Sequence, residues 1–355
     1  MKKIISFILM FFLPINVFAL SDTAKSSILV DMDSGRVLYE KNADEQKLIA
    51  STTKIMTFII TVEQEKDVEK TITVGDEVLK MYGSNIYIEV GEKIKIKDLL
   101  YGLILRSGND AAVALATSVS KDEKEFVKLM NKKAKELNMT NTIFNNCHGL
   151  DDDTKNYSTA RDMAKLSKYA NGIELYRKIS NTKKYNTKTN IKSYEWYNRN
   201  KLLTQYKYAT GGKNGYTPDA GRTLVTTASN DDLNLTIVTL NDYNEYITHK
   251  SLYEYAFNKY KNYKVLDKKN FNLKNQKIKN AYIKEDFYYP MTDEESRNIK
   301  TKIKITKLNN YKNNDVIGNI SVYLNDNKIY KTNIYIEKKN NTKLKKWFQN
   351  TFKKT

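Results

Sequence analysis

The run Leu48-Ile-Ala-Ser-Thr-Thr-Lys-Ile-Met-Thr-Phe-Ile-Ile60 constrains the fold of this chain more than any other segment. It reads as the opening of a helix that is apolar on nearly all sides, and such a helix is stable only when other elements cover it. A hydroxyl and an amine interrupt it. Ser51 and Lys54 are three residues apart, so on a helix they share a face and Lys54 Nζ reaches Ser51 Oγ. A neutral amine in that place relieves the serine of its proton and makes it a nucleophile without histidine. Taken alone, the pair is explained more simply by a serine N-cap and a lysine snorkelling to solvent.

Met1-Lys2-Lys3 followed by an apolar stretch ending at Ala19 has the layout of a signal peptide. Pro14 and Asn16 interrupt the apolar stretch, which falls short of the roughly 20 residues that a membrane span needs. Cleavage after Ala19 is expected, with the protein working outside the cytoplasmic membrane. Cys147 is the only cysteine, so no intramolecular disulfide can form and stability must come from a core. The 355 residues exceed one typical domain and suggest two. Lys and Arg total 60 against 41 Asp and Glu, a net charge of +19 that suits a solvated lysine-rich surface or attraction to anionic wall or lipid surfaces. The export signal argues against nucleic acid as a partner. No metal and no cofactor is expected.

Two strand-like runs, 27–31 and 36–40, flank Met32-Asp33-Ser34-Gly35 and read as a hairpin. A strand is expected at Ile86-Tyr-Ile-Glu-Val90 and a helix over 96–106. Ser107-Gly108-Asn109-Asp110 then breaks the periodicity before Ala111 resumes it, which places this tetrapeptide at a turn between helices. Further helices are expected over 123–137 and 159–169. The β-branched, period-two runs 222–228 and 233–240 around Ser229-Asn-Asp-Asp232 form an antiparallel hairpin, and a helix over 250–260 follows. Together these elements make a mixed α/β layer structure.

Beyond Lys264 the helical signal ends. Residues 299–306 alternate lysine with isoleucine or threonine, and 317–324 and 328–336 flank Asn325-Asp326-Asn327 as a hairpin. Residues 265–337 read as a separate small β-domain, a spacer or docking module without chemistry of its own. The last segment, 338–355, carries seven lysines and no acid, with Leu344, Trp347, Phe348 and Phe352 at helical spacing. It reads as a basic amphipathic tail suited to an anionic membrane surface.

Two further elements join Ser51-Thr-Thr-Lys54: Ser107-Gly108-Asn109 at the inter-helix turn, and Lys213-Asn214-Gly215 on the strand preceding Arg222-Thr-Leu-Val. In this order they match the Ser-x-x-Lys, Ser-x-Asn and Lys-Thr-Gly set of penicillin-binding proteins and class A β-lactamases. With Leu48 to Thr57, Asp98 to Ala112, His148-Gly149-Leu150, Ser158 to Ala164 and Gly212 to Thr217, the chain resembles the low-molecular-weight penicillin-binding proteins. These are the serine-type D-alanyl-D-alanine carboxypeptidases, peptidase family S11. The resemblance covers roughly 22–262 and implies an α/β (α+β) serine β-lactamase-like fold. In it an antiparallel five-stranded sheet is flanked by helices, with the active site in the groove between them. The expected domains are a signal peptide over 1–19, a catalytic domain over 20–264, the β-domain over 265–337 and the tail over 338–355.

Hydrolysis of a terminal peptide bond needs a nucleophile, a base, an oxyanion hole and a grip on the free carboxylate. Ser51 is the expected nucleophile and Lys54 the base, its pKa lowered by burial and by a second cation, Lys213. Ser107 and Asn109 are expected to relay a proton to the leaving D-alanine and to orient Lys54. Lys213 offers charge to the substrate carboxylate, Gly215 lets substrate backbone approach the strand, and Arg222 is a further carboxylate ligand. The oxyanion donors are expected to be the backbone N–H groups of Ser51 and Tyr216. Asn214 stands where the family usually has threonine, and Asn156-Tyr157 where relatives often carry histidine. The implied partners are peptidoglycan stem peptides ending in D-Ala-D-Ala, β-lactams and an anionic membrane surface. β-Lactamase activity, D,D-endopeptidase activity and a catalytically weakened wall- or membrane-binding protein are the alternatives.

Overall fold

A computed structural model describes residues 20–273, 278, 280–306 and 312–337. The signal peptide and the basic tail read from the sequence lie outside these residues. A five-stranded antiparallel sheet organises the N-terminal region, in the spatial order β2 (Val37–Lys41), β1 (Ala24–Asp31), Leu233–Asp242, Gly221–Asn230 and Ala209–Thr217. β1 and Leu233–Asp242 are almost wholly buried, as strands covered on both faces must be. Ala209–Thr217 is an edge strand.

Helix α1 (Lys54–Gln64) is buried from Lys54 to Thr61, as its apolar composition requires. The helix α2 (Ile96–Tyr101) follows later in the chain; the main helical neighbours of α1 are α3 (Asn109–Val119), α4 (Glu123–Glu136) and α5 (Ala160–Gly172). The alanines of α3 permit a close approach, and Phe58 meets Tyr176 edge to face at 5.2 Å. Asp122 and Thr159 cap α4 and α5 by accepting from the N–H groups of Glu125 and Asp162. Ile86–Val90 is not a strand. The buried Asp110 carboxylate accepts from the N–H groups of Ile86, Tyr87 and Ile88, so this backbone is satisfied by a side chain and pairs with no neighbouring strand.

Among the described residues the chain divides into two compact units, one of 20–29, 39–227 and 237–255 and one of 30–38, 228–236 and 256–337. In the second, Lys261–Leu266 pairs with Phe287–Met291, so the boundary expected after Lys264 falls within a strand. Its four-stranded sheet packs Ile317, Ile320, Val322 and Ile334 into a separate core, and Phe287 stacks on Tyr330 at 3.9 Å. No helix among the described residues is long and apolar enough to cross a membrane.

Candidate active site

Ser51 lies on a single 3₁₀ turn, Ala50–Thr53, that leads directly into α1. Ala50 adopts a left-handed conformation, φ +46°, which swings the chain sharply into the helix. Several hydrogen bonds hold this turn. Thr223 Oγ1 donates to the Ile49 carbonyl at 3.1 Å, and Asn156 Nδ2 donates to Thr53 Oγ1 at 3.0 Å. Two glycines press on its backbone: a Cβ on Gly149 would stand 2.0 Å from Ala50 O, and one on Gly215 would stand 2.8 Å from Ser51 N. Both positions therefore require the smallest residue, and Gly149 requires it twice over because its φ is +89°.

Lys54 is completely buried, with Nζ 3.1 Å from Ser51 Oγ, 2.7 Å from Asn109 Oδ1 and 2.5 Å from the His148 carbonyl. Burial drives its pKa from the usual lysine value down to about 7. The three partners are not equivalent. The His148 carbonyl and Asn109 Oδ1 can only accept, and the Asn109 amide is fixed in that orientation because its Nδ2 donates to the Tyr82 carbonyl at 2.6 Å. A neutral amine has two N–H bonds and one lone pair. The two acceptors occupy the N–H bonds, so the lone pair of the neutral amine faces Ser51 Oγ.

Asn109 begins α3, and a short π-helical turn, Gly102–Arg106, leads to it from α2. Ser107 follows that turn with φ +63°, a left-handed residue buried beside Asn109. A π-turn and a left-handed serine in succession are local distortions of the kind found at functional sites. They are the structural form of the break that interrupts the helical periodicity.

On the edge strand Ala209–Thr217, Lys213, Gly215 and Thr217 are buried, Asn214 is half-buried and Tyr216 is 62 % exposed. Lys213 Nζ donates to the carbonyl of Asn214 at 2.6 Å. Burial first, then the charges of Lys54 and Arg199, push its pKa well below the usual lysine value. Asn214 and Arg222 line a cleft of about 580 Å³ together with Arg199, Lys201 and Glu245. Arg222 lies 3.5 Å from Glu245 and 5.7 Å from the Tyr216 ring centroid, with over half of its side chain in solvent. Lys54 thus bridges Ser51 and Asn109, Gly215 lies against the Ser51 backbone, Lys213 is buried within reach of the Lys54 charge, and Arg222 stands at the cleft.

Residues 16–244 match the family model described as D-alanyl-D-alanine carboxypeptidase. The chain belongs to that family. Residues 257–342 match the model of the C-terminal domain of penicillin-binding protein 5. The D-alanyl-D-alanine carboxypeptidase DacF of Bacillus subtilis (strain 168) is 34 % identical over 293 residues, 80 % of this chain and 74 % of that protein. The D-alanyl-D-alanine carboxypeptidase DacC of Escherichia coli (strain K12) is 38 % identical over 230 residues, 61 % of this chain but only 56 % of that protein. Among solved structures, penicillin-binding protein 5 from Haemophilus influenzae superposes with a TM-score of 0.76 at 27 % identity, covering 89 % of this chain and 96 % of that one.

Within this carboxypeptidase-family fold, three contributors escaped the sequence reading. The His148 carbonyl and the Tyr82 carbonyl act through backbone oxygens, for which a sequence has no letter. Gly149 was visible inside His148-Gly149-Leu150, but its contact with Ala50 was not. The His148 ring accepts from the Leu150 N–H at 3.1 Å, and burial lowers its pKa to about 3, so it folds the loop as a neutral imidazole. His249 is equally neutral and lies in the core, 2.6 Å from Thr226 Oγ1 and 3.1 Å from Thr239 Oγ1.

Proposed function

We propose that this protein is a serine D,D-carboxypeptidase that removes the terminal D-alanine from peptidoglycan stem peptides through an acyl-enzyme on Ser51. The observation that carries the reading is the buried Lys54 amine, whose two N–H bonds are held by obligate acceptors while its remaining position faces Ser51 Oγ. The Ser51 oxygen attacks the carbonyl carbon of the last peptide bond as its proton passes to Lys54. The N–H groups of Ser51 and Tyr216 receive the oxyanion, each donor contributing roughly 3 kcal/mol. Collapse expels the D-alanine amine, which takes a proton relayed through Ser107. Water then attacks the ester with Lys54 again as base, and Ser51 is released.

Asn214, Lys213 and Arg222 are assigned to the substrate carboxylate. A carboxylate entering beside Lys213 supplies the counter-charge that the buried amine lacks, and favours its protonation. Arg222 is an exposed cation of the cleft on the strand next to that of Asn214, so Arg222→Gln is expected to raise KM for a D-Ala-D-Ala peptide about tenfold, one charge-assisted hydrogen bond, with kcat held within about twofold. Steady-state kinetics on a stem-peptide mimic make the comparison, and an unchanged KM removes Arg222 from the site.

The β-lactamase alternative needs a carboxylate free to position a deacylating water. Two of the three aspartates in the loop after Leu150 are engaged: Asp151 accepts from Thr217 Oγ1 at 2.5 Å, and Asp152 accepts from the Tyr82 hydroxyl. The loop 151–157 holds no glutamate, and slow penicillin turnover is expected. Incubation with benzylpenicillin is expected to add the mass of one intact penicillin to a peptide containing Ser51, while the untreated protein releases D-alanine and barely turns over nitrocefin. Absence of the adduct defeats the reading, and an adduct without D-alanine release assigns a weakened wall-binding role instead. Export through the N-terminal segment and attachment of the tail to the outer face of the cytoplasmic membrane complete the proposal; the charge and apolar pattern of both segments support it.

A further inference from the structure

One surface of the second unit has no part in this chemistry. Its four-stranded sheet runs in the order Ala281–Tyr282, Asn327–Ile336, Val316–Leu324 and Ile299–Ile305, so Ile299–Ile305 is an edge strand, and Asn327–Ile336 is covered on its outer side only at Tyr335 and Ile336. Residues directly opposite one another in antiparallel strands share a face. The register sets Lys300 opposite Tyr323, Lys302 opposite Ser321 and Lys304 opposite Asn319. Across the same central strand, Tyr323 lies opposite Lys328 and Ser321 opposite Lys331.

The lysines therefore form two rails on one face of the sheet. All five are exposed, whereas Ser321 is buried and Asn319 and Tyr323 are half-buried, so the central row is the floor of a trough. The opposite face is the one that packs Ile320, Val322 and Ile334 into the core. The three strands contain five lysines and no aspartate or glutamate. Asp326, in the turn, holds Lys300 at 3.1 Å, and Lys302 Nζ lies 4.8 Å from the centroid of the Tyr323 ring.

Lysines on an edge strand guard against edge-to-edge pairing, which accounts for the first rail. Lys328 and Lys331 also lie on an open stretch of their strand, since Ala281–Tyr282 pairs only with Tyr335 and Ile336; edge protection does not require that both rails share one face across a polar floor. The spacing suits a ligand. Lysines along the first rail repeat at about 6.8 Å, and the rails stand two strand spacings, roughly 10 Å, apart.

We propose that this trough binds a linear polyanion whose charges are phosphate groups repeated along a chain, lying along the strands with its charges between the two rails. A chain one phosphate wide meets cations on both sides there, and counterion release drives the association as it does for other phosphate polymers. A flat anionic lipid surface fits less well. The rails present lysines rather than an apolar edge that could enter the acyl boundary, and the aromatic ring lies in the floor.

The test uses the full chain and a fluorescently labelled linear polyphosphate. Lys302→Glu/Lys331→Glu is compared with Lys132→Glu/Lys135→Glu, which makes the same charge change on the exposed face of α4. The trough variant is expected to bind at least about tenfold more weakly and to lower the slope of log affinity against log salt by about one to two, since each phosphate contact contributes somewhat less than one. The α4 variant is expected to stay within about twofold of the unaltered protein. Equal losses in the two variants, or no binding by the unaltered protein, overturn the proposal. Rail-dependent binding to phosphatidylglycerol vesicles without binding to polyphosphate also overturns it, in favour of a lipid surface. Thermal midpoints and penicillin acylation are measured on every variant, and a Lys→Gln pair replaces any variant whose midpoint falls.

Discussion

Lys54→Ala is expected to lower the rate of Ser51 acylation by penicillin about 10²–10⁴-fold, the usual contribution of a positioned base, while leaving Ser51 in place. The alanine removes the amine whose lone pair faces Ser51 Oγ, and it leaves Asn109 Oδ1 and the His148 carbonyl without their shared donor. Fluorescent-penicillin labelling in time course gives the rate. A loss of less than about tenfold would assign the base elsewhere. The pH profile supplies an independent check. With the Lys54 pKa at about 7, the amine is protonated and idle in acid, so acylation rises with pH through that value and levels off above it. The same shift has a stability sign. Between pH 7 and the unperturbed lysine value, the unfolded chain holds a proton that the folded one has released, so this residue makes stability increase with pH across that window.

Gly149→Ala is the second large effect, and it acts through the backbone that carries Ser51. The added methyl would stand 2.0 Å from Ala50 O and 2.9 Å from Ser51 N, both backbone atoms, at a residue with φ +89°. Overpacking costs roughly 1–3 kcal/mol, and the left-handed backbone adds about 1–2 kcal/mol for a residue with a side chain. Whatever part is relieved by moving the Ala50–Thr53 turn displaces Ser51, and a displacement of about 1 Å lowers rate on the order of 10²-fold. Gly172→Ala is the control, because nothing lies within 4 Å of the added carbon. Thermal unfolding and acylation rates on both variants decide the matter: Gly149→Ala acylating at the unaltered rate would mean that the loop yields and Ser51 does not depend on it.

Much of this was legible because the relevant chemistry sits in side chains at fixed spacing. The Ser51–Lys54 pair, the turn at Ser107 to Asp110 and the hairpin over 222–240 each follow from periodicity and its interruptions, and the structure places them accordingly. The expected strand over 86–90 failed for an equally definite reason. Its alternation of residues is that of a strand, but Asp110 lies some twenty residues away in sequence and takes the hydrogen bonds that a neighbouring strand would have taken. The hairpin formed by Lys184–Lys188 and Ser193–Tyr197 passed unread because lysines and asparagines dilute its pattern. The expected free cation at Lys213 is instead a buried amine bonded to its own strand, since a one-letter reading gives spacing but not depth.

The sole cysteine offers a way to watch the site open. Cys147 is buried, and burial together with the nearby Glu123 carboxylate raises its thiol pKa well above the ordinary value, so the folded protein shields it from alkylating reagents. Its carbonyl accepts from Thr57 Oγ1, and the next carbonyl along the chain, that of His148, accepts from Lys54. An excursion of the segment that anchors the Lys54 amine, or of Glu123 packed beside the thiol, is expected to expose this sulfur. The labelling rate is a clock for that excursion, built into the chain at a single atom and readable without any probe being added to the active site.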